Sequence, residues 1–221
     1  MKSLLSNKRT LFSVVIFVIA WGFISVPRLI GRLGGDGRFE NTVFYLCTLL
    51  CIYVVFVLSS QAFLGEKRDS RIGTLLCSPL TVKKFWAGKV AGVVIPGFAI
   101  GIIVAAAVAI VFSLQADTAF IPSAPLIVYI LVVLPLFLAV FSGFLGFLQL
   151  LFGMRENRII NIVVMIALFG GLGLANSLAG GEGLVRWPLV GAVFGAVLLL
   201  FVLLSYITRF IRVERIITSL E

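Results

Sequence analysis

The chain of 221 residues contains no histidine, only nine acidic residues and only three cysteines. With no histidine and with scattered acids, it lacks the clustered ligands that a zinc ion needs, so we predict no metal site. Cys47 and Cys51 lie four positions apart in an apolar run, and Cys77 lies in a charged segment. We interpret all three as reduced thiols that serve as small apolar residues.

The positions of the acids disfavour membrane catalysis and ion coupling. All nine lie in loops or at the ends of apolar runs, and the sequence shows no nucleophile paired with a base, so we predict no catalytic residue. A coupled transporter commonly carries an ionisable group near the membrane midplane, although backbone carbonyls can also bind sodium. The chain has no G-x-x-x-x-G-K-[ST] segment and therefore no P-loop of its own for ATP.

Apolar sequence is what the chain has in abundance. It is 61% hydrophobic and 12% charged, with a mean hydropathy of +1.20. A soluble domain is about half apolar and about a quarter charged, so this chain has too little polar surface to cover a globule. We therefore predict an integral membrane protein, and the same composition argues against disorder and against a disulfide scaffold.

Uncharged runs predict where helices cross the bilayer, because a spanning helix needs about 20 apolar residues. Six such helices with short loops form one all-α transmembrane domain over residues 1–221. Their approximate ranges are 10–30, 41–65, 90–116, 125–152, 159–178 and 187–208. We read the first as a retained helix, since no small-residue cleavage site follows it. Pro135 lies inside the fourth, where a kink is expected because proline removes a backbone donor.

The net charge of +9 predicts the orientation of these helices. The positive-inside rule places segments rich in Lys and Arg in the cytoplasm. With both termini cytoplasmic, 14 of the 18 cations fall inside, and the four that fall outside are Arg28, Arg32, Arg38 and Arg186. Topology and attraction to anionic lipid then account for the charge, so we predict no binding of nucleic acid.

The longest cytoplasmic loop, residues 65–89, reads GEKRDSRIGTLLCSPLTVKKFWAGK. Residues 66–76 fit an amphipathic helix at the membrane surface, because Ile72, Leu75 and Leu76 share one face. Periodicity alone fits an ordinary interfacial loop helix equally well.

The end of this loop contains the signals for the next helix. Pro79 ends the amphipathic helix, since proline disfavours helical conformation in the residue before it. Thr81 is the expected N-cap of the following helix, and Phe85 and Trp86 are expected to anchor that helix at the membrane interface.

The loop resembles the first cytoplasmic loop of ABC transporter permeases of the type-2 family, which export drugs, polysaccharides and lipids. The family pattern is roughly E-x-x-x-G-T-L-x-x-L-L-x-x-P-[LV]-[ST], followed by a helix that opens with G-K. Its counterparts in this chain are Glu66 to Arg68, Gly73-Thr74-Leu75, Ser78-Pro79-Leu80-Thr81 and Gly88-Lys89. The two spans predicted before the loop and the four predicted after it also agree with the family.

The resemblance implies a six-helix half-transporter in the prokaryotic cytoplasmic membrane, working with a separate ATPase subunit and with a second copy of itself or a related permease. The loop would be a coupling helix that sits in a cleft of the ATPase, and ATP and Mg²⁺ would be bound by that partner. This chain would be neither an enzyme nor the carrier of a cofactor. The residues of the ATPase contact would be Glu66, Lys67, Arg68, Asp69, Arg71, Gly73, Thr74, Leu75 and Pro79.

The resemblance also implies a substrate path near the first, second and fifth spans, at the centre of a dimer. The candidate path residues are Ser13, Ser25, Ser59, Gln61, Asn161 and Asn176, with Thr48 and Ser60 as further polar residues. Each is more often a helix-packing hydrogen bond than a substrate contact. Three G-x-x-x-G signals, at 88–92, 97–101 and 191–195, predict close helix packing within one subunit.

Two other functions fit the same features. One is a secondary transporter that does not use ATP, and the other is a structural membrane assembly protein. The identity of the substrate does not follow from the residues.

Overall fold

The computed structural model describes residues 36–68, 82–116, 122–152, 156–157, 159–167, 170 and 185–208, and all secondary structure in these ranges is helical. The four long helices are α1 (Asp36–Arg68), α2 (Val82–Ala116), α3 (Ala124–Leu151) and α4 (Trp187–Thr208). Residues 159–167 are also helical.

Each of the four helices is long and apolar enough to cross a membrane, which makes the chain an integral membrane protein. The spanning segments are Val43–Phe63, Trp86–Ala107, Ala124–Leu151 and Trp187–Tyr206. They correspond to the second, third, fourth and sixth predicted spans. The predicted first span, 10–30, lies outside the described residues, and the predicted fifth, 159–178, is described only at 159–167 and 170, where it is helical.

α1 and α2 extend beyond the uncharged runs that predict them. α1 begins at Asp36 instead of 41 and continues to Arg68. α2 begins at Val82, ahead of its uncharged run and directly after Thr81, the expected N-cap. Charged residues limit the length of helix that lies in hydrocarbon. Lys, Arg and Glu are nevertheless good helix formers, so the helical backbone hydrogen bonds continue beyond the apolar run. Residues 66–68, where a separate amphipathic helix was expected to begin, are therefore the last residues of α1.

α1 is the most buried of the four helices. Over an 18-residue apolar stretch of its spanning segment 67% of the residues are buried, against 22%, 33% and 17% over the corresponding stretches of α2, α3 and α4. α1 packs on α2 and α3, and α3 packs on α1, α2 and α4. α2 and α4 expose large apolar side chains, such as Ile103 and Leu199, which suits surfaces in contact with lipid.

Two glycines let α2 approach α1 closely. A Cβ added at Gly97 would overlap Val55 Cγ2, and a Cβ added at Gly101 would overlap Cys51 Sγ. The prediction of packing within one subunit is thus confirmed for the signal at 97–101. By contrast, nothing lies within 4 Å of an added Cβ at the glycines of the other two signals.

α3 contains a π-helical turn, Tyr129–Val133, between α-helical segments Ala124–Val128 and Leu134–Leu151. The N–H of Leu134 donates to the carbonyl of Tyr129, five residues earlier. Pro135 follows directly and has no N–H with which to continue the ladder, so the irregularity expected there takes the form of a wider turn just before it.

One end of the bundle, which we call the loop end, is where α1 ends at Arg68 and α2 begins at Val82. Lys89 of α2 donates a hydrogen bond to the carbonyl of Ala62 of α1 there. The C-terminal parts of α3 and α4 reach the same end, so α1, α3 and α4 run towards it and α2 runs away from it.

Trp86, the expected interface anchor, is half-buried at the first position of its spanning segment and packs against α3 and α4 at the loop end. A Cβ added at Gly143 of α3 would lie 2.9 Å from Cζ2 of the indole and 2.8 Å from Cδ2 of Leu204 in α4. The indole thus fills the space opposite a glycine, where its large apolar surface is removed from solvent. The side chain of Phe85 lies outside the described residues.

We predict that Gly101→Ala lowers the free energy of unfolding by about 1–3 kcal/mol, because the added methyl group overpacks the contact with Cys51. The matched control is Gly191→Ala, which adds the same group where nothing lies within 4 Å. Both changes raise helix propensity by the same amount. The difference between their effects on the free energy of unfolding therefore reports the contact between α2 and α1. Thermal unfolding in detergent measures it, and equal midpoints for the two variants would contradict the close approach of α2 to α1.

Candidate functional site: buried polar contacts at the loop end

The hydroxyl groups of α1 make hydrogen bonds to α3. Ser59 Oγ lies 2.8 Å from Oγ of Ser142, and Ser60 Oγ accepts a hydrogen bond of 3.2 Å from Nε2 of Gln149. Ser59 and Ser142 are fully buried. Interhelical bonds of this kind, in a region without water, hold the facing sides of two spanning helices together.

A second contact joins α1 to the π-helical turn, further from the loop end. Thr48 Oγ1 donates to the carbonyl of Phe44 at 2.6 Å and lies 2.9 Å from Oη of Tyr129. Since a hydroxyl has one hydrogen, and Thr48 gives its own to Phe44, Tyr129 is the donor to Thr48. The rings of Phe44 and Tyr129 also contact each other, with centroids 4.4 Å apart.

The start of α3 is held by a carboxylate of α1. Oε1 of Glu40 accepts a hydrogen bond of 2.9 Å from the backbone N–H of Ser123, the residue before α3. A negative charge at this position is favourable, because the N-terminus of a helix carries a partial positive charge.

Gln149 connects three parts of the chain at the loop end. Its side-chain Nε2 donates to Ser60 of α1 and, at 3.1 Å, to Oδ1 of Asn161 in the helical residues 159–167. Gln149 is 1% exposed, and its Oε1 is buried without a hydrogen-bond partner. A single amide therefore fixes α1, α3 and the described part of the fifth predicted span relative to one another.

Asn157 closes the C-terminus of α3. Its Nδ2 donates to the carbonyls of Gln149 and Phe152, at 3.0 Å and 2.9 Å. The last carbonyls of a helix have no partner within the helix, so the buried amide supplies donors that the backbone lacks.

Lys89 places a cation at the loop end of the α2 span. Its ammonium group donates to the Ala62 carbonyl and lies 5.0 Å from the centroid of the Phe63 ring. A charge at membrane depth is costly, and both the carbonyl oxygen and the face of the ring offset that cost.

The cysteines of α1 behave as small apolar residues. Cys47 and Cys51 are free and buried, and Cys47 Sγ lies 3.6 Å from the carbonyl oxygen of Gly101. Within the described ranges, no group of three or more His, Cys, Asp or Glu residues is placed to hold a metal ion.

The described candidate path residues lie in or beside these packing contacts. Ser59 is bonded to Ser142, Asn161 accepts from Gln149, and Gln61 is half-buried on α1. Ser59 and Asn161 thus form hydrogen bonds within the subunit, and their place on a substrate path stays a prediction. The candidates Ser13, Ser25 and Asn176 lie outside the described residues.

The predicted ATPase contact is described only at its beginning. Glu66, Lys67 and Arg68 end α1. The remaining residues of the contact, which lie outside the described ranges, are Asp69, Arg71, Gly73, Thr74, Leu75 and Pro79.

Sequence reasoning missed Gln149 and Lys89. Gln149 is the one amide in the uncharged run 118–154, and it shares a helix face with Ser142 and Gly146 at the spacing i, i+4, i+7. That stripe of polar and small residues on an otherwise bulky apolar helix was the available signal. Lys89 was assigned to the family motif and counted among the cytoplasmic cations, although it directly precedes an apolar run.

No protein-family model, curated protein or solved structure matches this chain. We therefore infer its function from the contacts at the loop end and from the sequence of the loop that adjoins them.

We predict an energetic coupling of about 0.6 kcal/mol between Gln149 and Ser60, the average for interhelical hydrogen bonds in a membrane. It is measured by a double-mutant cycle of Gln149→Leu and Ser60→Ala, using the free energy of unfolding in mixed micelles. The control cycle pairs Gln149→Leu with Ser205→Ala, because Ser205 is exposed on α4 and bonds to its own helix. Additive effects in both cycles would contradict the contact.

Proposed function

We propose that the chain is the membrane subunit of an ATP-driven exporter, and that residues 66–81 contact a separate ATPase subunit. The observation that carries this proposal is the loop sequence, with its charged start, its Gly73-Thr74-Leu75 segment and its Pro79 exit. The two helices that flank the loop support it, because α1 and α2 are antiparallel spanning helices whose loop-end parts are bonded together.

The charged start of the loop suits a contact with another protein. Glu66, Lys67, Arg68, Asp69 and Arg71 offer both signs of charge within six residues, which can set the register of a partner. In this proposal the ATPase binds ATP and Mg²⁺, and the coupling helix of this chain transmits the motion of the ATPase to the membrane helices.

The continuity of α1 into this segment favours the transmission of motion from the loop to the membrane helices. Residues 66–68 continue a helix whose spanning segment is the most buried of the four. A force applied to the start of the loop therefore acts on the most buried of the four helices without an intervening turn.

We propose that two copies, or one copy and a related permease, form the complete transporter. The residues Ile159, Ile162, Val163 and Ile166 are each more than half exposed and lie on one helix face. The family resemblance puts this span near the dimer centre, where an apolar stripe suits either a second subunit or a lipid-like substrate.

The proposed location is the prokaryotic cytoplasmic membrane, with both termini cytoplasmic. α4 ends at the loop end, so Thr208 and the cation-rich loop lie on one side of the bundle, as this orientation requires.

We predict that a Walker-type ATPase encoded beside this chain is retained when the tagged permease is purified from cells that express both. Glu66→Lys should reduce retention about tenfold or more, because it reverses a charge in the contact. Gly73→Trp should act similarly by blocking close approach.

The control for this experiment is Arg186→Glu, a charge reversal at the end of the bundle opposite the loop, which should leave retention unchanged. Membrane insertion of all variants is checked by fractionation. If the parent protein retains no ATPase, the exporter proposal fails, and secondary transport or an assembly role becomes the better explanation.

We predict that a cysteine at Lys83 reacts with a membrane-impermeant maleimide only after the membrane is permeabilised. A cysteine at Arg186 should react in intact cells. Both are introduced into a variant without the native cysteines. Labelling of Lys83→Cys in intact cells would reverse the proposed orientation.

A further inference from the structure

The two ends of the loop are fastened to the bundle by one set of contacts. Lys89 of α2 donates to the carbonyl of Ala62 in α1, and its ammonium lies over the ring of Phe63. The same ring fills the space beside Gly146 of α3, where an added Cβ would overlap it. We name Ala62, Phe63, Lys89 and Gly146 the loop-end clamp.

Phe63 is the centre of the clamp because three helices meet at its ring. It is 1% exposed, and it is among the largest fully buried side chains of the described chain. α2 contributes a cation above the ring, and α3 contributes a backbone surface without a side chain. A shift of α1 at this point has to displace Lys89, Gly146 or both.

The chemistry of Lys89 explains how α2 is held. Ala62 lies inside a continuous helix, so its carbonyl already accepts a bond from the backbone N–H four residues later. The second lone pair of the oxygen remains available, and an ammonium group with three donors can use it. The attraction to the ring adds to this bond in a region where little water competes.

The clamp continues into the fifth predicted span through Gln149. This residue follows Gly146 by one turn on α3, and its amide is bonded to Ser60 and to Asn161. Contacts therefore run without a gap from α2 through α1 and α3 to the helical residues 159–167.

We propose that Lys89 is a positioning residue that joins α2 to α1 beside the contact of Phe63 with α3, so that a displacement of the loop moves α1, α2 and α3 together. That an ATPase displaces the loop rests on the proposed function, whereas the attachment of α2 to α1 through Lys89 does not. The competing role for a lysine near a helix end is to extend its ammonium group into the headgroup region. In that role, replacing the lysine would leave the helices in place.

The fastening is tested by double electron–electron resonance on the full chain in lipid nanodiscs. Spin labels at Lys84 of α2 and Phe152 after α3 are both on exposed residues near the loop end. We expect one narrow distance peak in the parent, loss of that peak in Lys89→Met, and its recovery in Lys89→Arg, which keeps the charge and the donors. Arg186→Met, which removes a cation at the other end, should leave the peak unchanged.

A second variant keeps the test decisive if Lys89→Met does not fold. Gly146→Ala retains the cation but displaces the Phe63 ring, and it should also lose the narrow peak. An unchanged peak in folded Lys89→Met overturns the proposal, and so does an unchanged peak in Gly146→Ala.

Transmission is tested with the co-purified ATPase and a non-hydrolysable ATP analogue, using labels at Phe152 and at the exposed Leu199 of α4. The analogue should shift this distance in the parent but not in Lys89→Met, even though Lys89→Met still retains the ATPase. A shift of equal size in both overturns the transmission role. If the parent binds no ATPase, the proposed function and the transmission role fail, while the Lys84–Phe152 peak still decides the fastening.

Discussion

Hydrocarbon offers no hydrogen-bond partners, so a polar side chain on a spanning helix has to be satisfied by the protein itself. α1 carries Thr48, Ser59 and Ser60, and all three contact side chains of α3. A helix with such groups is best placed where neighbours surround it, while helices with purely apolar faces can meet lipid. The high burial of α1 and the exposed apolar faces of α2 and α4 follow from this constraint, and the glycines of α2 allow the contact with α1 to be close.

The loop end brings the contacts of Ser59, Ser60 and Lys89 close to the segment proposed to receive an external force. α1 passes from the membrane centre to Arg68 without a break, and α2 returns from Val82 to Lys89 within two turns. The loop is thus attached to two helices that are bonded to each other and packed on a third. This arrangement suits a protein whose working motion is a tilt of joined helices, since the parts nearest the partner cannot separate individually.

Local sequence predicts where helices lie in the membrane, but it does not predict which residues they bring together. The span 187–208 coincides with α4 because its apolar run is bounded by Arg186 and by the basic C-terminal segment. The start of α1 at Asp36 was missed, since charge ends a hydrophobic run but not a helix. Ser59 was singled out and Gln149 was not, although both make hydrogen bonds between helices. The partner of a polar residue depends on how two helices are rotated and crossed, and a single-helix pattern does not contain that information.

The π-helical turn of α3 has a consequence for the helical phase. Tyr129 and Ser142 both bond to α1, yet they are 13 positions apart. In a regular α-helix that interval is about 3.6 turns, which would put the two side chains on roughly opposite faces. The wider turn between them rotates one half of the helix relative to the other and brings the two faces closer together. By inserting this offset next to Pro135, the chain enables one helix to present hydrogen-bonding groups to α1 at two depths of the membrane.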